Sequence, residues 1–157
     1  MWVLAIKRNY LGIDVIFARD ERKERDYYDY GSWWNKYPYI YGYKDVEKGG
    51  TWFAHNNSLF ACILNQEYVT QEHYLSRGSI IIELLSHCDN VNSAKNYCKE
   101  KDFSRVLPFT MVIIDNNKRI ALVSKKAEIS TGVIQDVDNS FFMLNRSYKN
   151  DFSQRRI

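Results

Sequence analysis

The sequence has few cysteines and histidines, and neither type is spaced for a shared metal ion. There are only 3 of each in 157 residues. The cysteines Cys62, Cys88 and Cys98 include no CxxC pair, which zinc sites commonly use. We therefore expect no metal site, and free thiols in a reducing cytoplasm.

Long apolar runs and clusters of basic residues are also missing. No run approaches the ~20 residues of a membrane span, and the first residues lack the basic start and the length of a signal sequence. The 22 Lys and Arg against 19 Asp and Glu give a net charge of +3, and the basic residues are scattered. Nucleic-acid binders usually show a basic stripe instead. We expect one domain over residues 1–157, cytoplasmic, with no nucleic-acid partner.

Aromatic residues and strand-forming segments are what the sequence does contain. With 12 tyrosines and 4 tryptophans, it favours a binding surface or an apolar pocket, although tyrosines also occur in ordinary sheets. Residues 19–50 show little periodicity and are predicted to form a long irregular excursion, of a kind that is usually functional. Hairpins are predicted at 2–18, 51–64 and 109–125, helices at 76–88 and 90–102, and a last strand at 141–145. The class is therefore α+β with largely antiparallel sheet.

Several short motifs follow one another in a distinctive order. "ARDE" at 18–21 is followed by paired tryptophans, a G-x-x-D, "GGTW" at 49–52, an apolar strand ending at Asn65, "SRG" at 76–78 and "FFMLN" ending at Asn145. In this order the motifs resemble the transport and Golgi organisation 2 (TANGO2) family, whose NRDE signature is similar to "ARDE" with Ala18 replacing the asparagine. The resemblance covers about residues 1–146.

The resemblance implies a fold similar to that of the N-terminal-nucleophile (Ntn) hydrolases, with two stacked antiparallel sheets and helices outside. In such enzymes a Cys at position 2 becomes the first residue, and its amine acts as base for its own thiol. By the same resemblance, Arg19 and Asp20 would hold the amine and the thiol. Asn65 would be a candidate oxyanion donor.

The sequence departs from this pattern at the nucleophile. Position 2 is Trp2, whose indole offers one N–H donor and no nucleophile. A bulky second residue also blocks removal of Met1, so we expect thiol-based hydrolysis to be lost. Cys62 lies in an apolar strand run and is expected to be a buried hydrophobe rather than a substitute. The chain is shorter than is usual in the family, and an open sheet edge would be protected in a homodimer or in another way.

The sequence is compatible with three functions. The family's association with haem handling and with lipid and membrane homeostasis implies a non-catalytic protein that binds or traffics an apolar ligand, haem first and lipid second. Arginines would meet the carboxylates of such a ligand. An amide hydrolase with another nucleophile, and a decayed family member that acts as an interaction protein, are the alternatives. The predicted ligand-binding residues are Arg19, Asp20, Trp52, Asn65, Arg77 and Asn145.

Some assignments stay open at this point. The "GGTW" segment is either a turn entering a strand or a lining of the site. Trp33 and Trp34 either pin a long loop or wall a pocket. Arg77 opens a helix, where a positive charge opposes the helix dipole, so a specific contact with an acidic group is expected.

Overall fold

A computed structural model of the protein describes residues 2–19, 21, 23–66, 75–126 and 130–145. Within these residues the chain forms ten strands and two helices. The strands are β1 (Trp2–Arg8), β2 (Ile13–Arg19), β3 (Tyr27–Gly31), β4 (Tyr41–Asp45), β5 (Phe53–His55), β6 (Leu59–Asn65), β7 (Phe109–Asp115), β8 (Ile120–Lys125), β9 (Val133–Val137) and β10 (Phe141–Asn145), and the helices are α1 (Arg77–His87) and α2 (Val91–Glu100).

The strands form two antiparallel sheets, which confirms the predicted class. One sheet has three strands in the order β10-β1-β2, and the other has seven in the order β3 to β9. Side chains of both sheets meet in a single buried core. For example, the ring centroids of Phe17 on β2 and Phe53 on β5 lie 6.2 Å apart.

The two described helices cover only one of the two sheets. α1 contacts β5 and β6, and α2 contacts β7, β8 and β9, so both pack on the seven-stranded sheet. Ile16 is 66% exposed on the outer face of the three-stranded sheet. The part of the chain that is described therefore supplies three of the four layers that the resemblance implied.

The central strand β7 forms the middle of the core. Its sequence FTMVIID is buried at every position, because one face meets the three-stranded sheet and the other meets the helices. A strand covered on both faces reads as a continuous apolar run rather than an alternating one. The neighbouring β6 is buried at five of its seven positions, Leu59 and 61–64.

The start of α2 corrects a sequence prediction. By residue type and position, the sequence favours Asn92 or Ser93 as the cap of this helix, but Asn90 caps it and accepts a hydrogen bond from the Ser93 N–H at 2.8 Å. The Ser93 hydroxyl group in turn accepts from the Asn90 N–H, which completes a capping box. Ser93 therefore takes part as the third helical residue rather than as the cap.

The long excursion after β2 was predicted wrongly as irregular. Residues 27–31 and 41–45 pair as β3 and β4, with a bulge between Tyr28 and Gly31. β3 is exposed at its first four positions, so it carries none of the alternation that marks a half-buried strand. β9, with burial at Ile134 and Val137 only intermediate, was missed for the same reason.

Candidate functional site

The first strands bring three of the predicted site residues into one row. Trp2 pairs with Arg19 on one side and with Asn145 on the other. This confirms that the end of the second strand lies beside the beginning of the chain. Asp20, which was predicted to join this group, lies outside the described residues, as does Met1.

Arg19 lies between two indole rings. Its guanidinium carbon is 3.9 Å from the ring centroid of Trp52 and 5.5 Å from that of Trp2. Its side chain is only 10% exposed. The ring of Trp52 stacks on Tyr43 and meets Tyr27 edge-on, with centroids 5.8 and 5.7 Å away. Cation–π attraction is stronger in such a desolvated place, so the rings hold the charge in position.

Within the described residues, carboxylates offset the charge of Arg19 only partly. Arg19 Nη2 lies 3.3 Å from Glu21 Oε2 and 3.8 Å from Asp45 Oδ2. The same Asp45 oxygen is closer to Arg25, at 2.7 Å from Nη2. Burial lowers the pKa of Arg19, and Arg25 lowers it further, while Glu21 and Asp45 oppose both effects.

One polar atom of Arg19 has no partner among the described residues. Its Nε is buried and makes no hydrogen bond there. Buried polar groups are nearly always paired, and leaving one unpaired costs about 1–3 kcal/mol. The Nε–H is thus a donor that a bound acceptor would satisfy.

Arg77 lies near the same cluster but is held by the backbone. Its Nη1 donates to the carbonyl oxygens of Gln66 and Pro108, at 3.3 and 3.0 Å. Burial lowers its pKa to about 10, and the nearby Arg25 contributes in the same direction. The expected acidic partner is not among these contacts, because the helix begins beside carbonyl groups at the strand ends that need donors. Arg77 thereby ties the segment after β6 to the one before β7.

At the same end of the sandwich, the seven-stranded sheet also carries polar residues. Asn65, Phe109 and Lys125 form the last row of the seven-stranded sheet, and Asn65 is half-buried. Lys125 is buried, with 5% of its surface exposed. Trp52 lies next to this row, since its carbonyl oxygen accepts from the Ile63 N–H at 3.0 Å.

The "GGTW" segment serves both as a turn and as a lining of the site. Gly49 has φ +74°, a conformation that glycine adopts without strain. Gly50 approaches the start of α1 so closely that a Cβ would lie 2.6 Å from the carbonyl carbon of Gly78. This approach places Trp52 over Arg19. Trp34 pins the turn by donating from its indole Nε1 to the Gly49 oxygen at 3.0 Å.

Sequence reasoning missed two charged members of the site, Arg25 and Asp45. The signal for Asp45 was present, because it is the last residue of the G-x-x-D that forms part of the resemblance. No sequence pattern indicated Arg25 as a site residue, because its position depends on the pairing of β3 with β4. Trp33, by contrast, stacks on Tyr28 at 4.9 Å between centroids and remains 38% exposed.

The described residues offer no thiol nucleophile at this site. Position 2, where the resemblance implied the nucleophile, is occupied by Trp2. Cys62 is fully buried, as predicted, and burial raises the pKa of its thiol well above the ordinary value. No group of three or more His, Cys, Asp or Glu residues suited to a metal ion occurs in the described ranges. No described helix is long and apolar enough to cross a membrane.

Comparisons with known proteins agree with this fold. In the solved structures, the Caenorhabditis elegans N-acylethanolamine-hydrolyzing acid amidase (NAAA) ortholog matches with a TM-score of 0.62 and 10% sequence identity, over 91% of this chain and 69% of that one. The fold is thus similar to that of an Ntn hydrolase. No curated protein matches the sequence. The family model described as Transport and Golgi organisation 2 matches residues 4–153, and the chain therefore belongs to the TANGO2 family.

Proposed function

We propose that this chain is a non-catalytic member of its family that binds and traffics an apolar ligand carrying carboxylate groups, with haem as the first candidate. The observation that carries the proposal is the state of Arg19. Its guanidinium group is buried between two indole rings, and its Nε donor lacks a partner among the described residues.

The charges around Arg19 favour an anionic ligand. Arg25 is close enough to lower the pKa of both Arg19 and Arg77, so three guanidinium groups share this end of the fold. The ion pairs formed by these arginines involve only Glu21 and Asp45 in the described part of the chain. A carboxylate entering beside Arg19 would accept a charge-assisted hydrogen bond, which is stronger than a neutral one.

The walls of the site suit a flat apolar body. Trp2, Trp52, Tyr43 and Tyr27 present ring faces and edges within one cluster. Haem combines a flat apolar macrocycle with two propionates, so its ring would meet this cluster and a propionate would meet Arg19. Among the described residues, the side chains that contact Arg19 include no imidazole or thiol. The proposed mode of binding therefore uses the propionates and the ring face, not the iron.

A haemin titration followed by Soret absorbance tests this proposal. We expect saturable binding near one haemin per chain. Arg19→Met keeps the length of the side chain and removes its charge, and it should weaken binding about tenfold or more, the value of one charge-assisted hydrogen bond. The matched control is Arg119→Met, because Arg119 is exposed and lies in the turn at the other end of β7 from the Phe109–Lys125 pair. Linear, unsaturable uptake equal in all three proteins would refute the proposal.

An amide hydrolase with a different nucleophile is the second candidate. The fold match favours it, since the matching C. elegans protein hydrolyses N-acylethanolamines. In this chain such a reaction would need a water or another group in place of the thiol, with Arg19 and Asn65 beside the reacting carbonyl. Turnover of a panel of acyl amides, abolished by Arg19→Met, would support hydrolysis over binding. The predicted homodimer stays a prediction that size-exclusion chromatography can test.

A further inference from the structure

The two sheets differ in width, and the difference leaves part of the seven-stranded sheet uncovered. Phe17 on β2 packs on Phe53 of β5, and β2 is the last strand of the three-stranded sheet on its side. In the other direction, Arg8 at the end of β1 donates to the carbonyl oxygen of Val137 on β9 at 3.1 Å. The described part of the three-stranded sheet thus extends from β5 toward β9 and leaves β4 and β3 without a strand above them.

The uncovered strands carry aromatic rings on the face that points toward the other sheet. His55 lies two positions after Phe53 on β5 and therefore shares its face. Tyr41 pairs with His55 across the strands, and Tyr30 of β3 packs against both, with centroids 6.1 and 5.7 Å away. Tyr30 is 52% and Tyr41 39% exposed. Tyr30, Tyr41 and His55 are called the aromatic floor below.

Beside the aromatic floor, β2 has a free edge within the described residues. It pairs with β1 on one side and with no described strand on the other. The N–H and C=O groups of such an edge form a template for another strand. Proline and bulges are common protections, but β2 contains no proline and its register with β1 is regular over all seven residues. The edge is therefore able to pair.

The spacing of strands and sheets shows that one further strand fits here. Neighbouring strands lie about 4.8 Å apart, and stacked sheets lie about 10 Å apart. A strand added to β2 would therefore lie above β4, with its inward side chains directed at the aromatic floor. The edge of β2 and the aromatic floor together form a ledge, and the ledge has the dimensions of a missing strand.

A second copy of this chain does not fit the ledge by the usual symmetric pairing. Two β2 strands would pair antiparallel about a twofold axis perpendicular to the sheet, about 4.8 Å apart. Both seven-stranded sheets would then lie on the same side of the joined sheet. Because β4 and β3 extend beyond β5 in each copy, those strands would occupy the same space. The ledge therefore admits a single extended segment rather than another sandwich.

The two ends of β2 differ in charge. The Arg19 guanidinium group reaches to within 3.8 Å of Asp45 at the end of β4, so it is directed toward the uncovered side. Its Nε is a buried donor that makes no described hydrogen bond. At the other end of β2, Asp14 is exposed, accepts from Asn9 at 2.9 Å and takes part in no described ion pair. A strand beside β2 would thus meet a positive group at one end and a negative group at the other.

We propose that the ledge binds an extended peptide, which adds to β2 as an antiparallel strand with apolar side chains on the aromatic floor and an acidic side chain at Arg19. The antiparallel arrangement is the more stable one, and peptide addition to a sheet edge is a common mode of recognition. The peptide positions opposite Ile13, Val15 and Phe17 point inward and should be apolar.

The charges of the peptide follow from the same register. The position opposite Arg19 also points inward and should be acidic, and the position opposite Asp14 should be basic. The proposal shares Arg19 with the function proposed above, but it requires no haem.

A seven-residue probe peptide tests the charges. In the acetylated, fluorescein-labelled peptide ETVTVKV, the glutamate would lie opposite Arg19, the lysine opposite Asp14, and the three valines on the inward face. Fluorescence anisotropy should show saturable binding of one peptide per chain. The peptide KTVTVEV has the same composition with the two charges exchanged. It should bind about tenfold more weakly, because each opposite-charge pair becomes a like-charge pair.

Two N-methylated forms of the probe test the backbone pairing. One carries methyl groups on the nitrogens of its second, fourth and sixth residues, and the other on those of its third, fifth and seventh. Alternate N–H groups of a strand point to the same neighbour, so one form should keep its affinity for β2 and the other should lose it.

A pair of tyrosine substitutions tests the aromatic floor. Tyr41→Ala should weaken binding of ETVTVKV about fivefold, since it removes a ring that the inward side chains would contact. Tyr28→Ala is the matched control. Tyr28 is 48% exposed on β3 and stacks on Trp33 rather than on the aromatic floor, so its removal should leave the affinity unchanged.

Four results would overturn the proposal: no saturable binding of ETVTVKV at millimolar concentration, equal affinity for the two charge patterns, equal affinity for the two N-methylated forms, or a dimer in light scattering that excludes the peptide. If Tyr41→Ala does not fold, the peptides with the unaltered protein still decide. A protein that binds haemin but not the peptide overturns the ledge alone, and one that binds the peptide but not haemin overturns the haem proposal alone.

Discussion

Replacing the carboxylate of Asp45 tests whether the Arg19 cluster is a buried charge network. Asp45 accepts from Arg25 Nε and lies 2.7 Å from its Nη2, and it also approaches Arg19. Removing one partner of a buried ion pair costs about 3–5 kcal/mol. Arg25 is 23% exposed, and water screens part of that loss. We therefore expect Asp45→Asn to lower the free energy of unfolding by about 2 kcal/mol.

Urea denaturation at neutral pH measures this change. The midpoint should fall with little change in slope, since the surface exposed on unfolding is the same. Asp26→Asn is the matched control, because Asp26 is exposed and should stay within about 0.5 kcal/mol of the unaltered protein. Combining Asp45→Asn with Arg25→Met should cost about 1 kcal/mol less than the sum of the single changes. A loss for Asp45→Asn no larger than that of the control would refute the network.

Two further changes test other parts of the fold. Burial raises the pKa of Glu83, but hydrogen bonds from Lys101 and Tyr97 outweigh it and hold the pKa below its ordinary value. The resulting stabilisation is present above that ordinary value and is lost as the pH falls through the lowered one. Urea unfolding should therefore show Glu83→Gln as less destabilising at about pH 3 than at about pH 7. In Gly78→Ala the new Cβ would lie 2.7 Å from a backbone oxygen, so thermal unfolding should show a loss of about 2 kcal/mol. Gly12→Ala, with no atom within 4 Å, should not show that loss.

The sequence predicted those elements whose own residues define them. β1 with β2 and β7 with β8 are apolar runs broken by short polar turns, and each hairpin was placed to within about two residues. β3 and β4 were missed because the tyrosines of β3 and Tyr41 are exposed, while Tyr43 packs on Trp52, so neither strand shows a clear alternation. Their pairing depends on the rest of the sheet, which is a property of packing rather than of local pattern.

The candidate site, too, was only partly predictable from the sequence. Trp2, Arg19 and Trp52 were identified through the resemblance and are brought together by the fold. The hydrogen-bond partner of Arg77 was not predictable. Every residue has a backbone carbonyl group, and no sequence pattern shows which of them accepts from Arg77. Arg25 joins the site only once β3 and β4 are paired.

The central claim is that Arg19 holds the carboxylate of an apolar ligand, and a binding cycle tests it most directly. Haemin and its dimethyl ester, whose propionates carry no charge, would each be titrated into the unaltered protein and into Arg19→Met. The account predicts that esterification and the substitution each weaken binding about tenfold, and that both together weaken it little more than either alone. An ester that binds as tightly as haemin, or two effects that simply add, would contradict it.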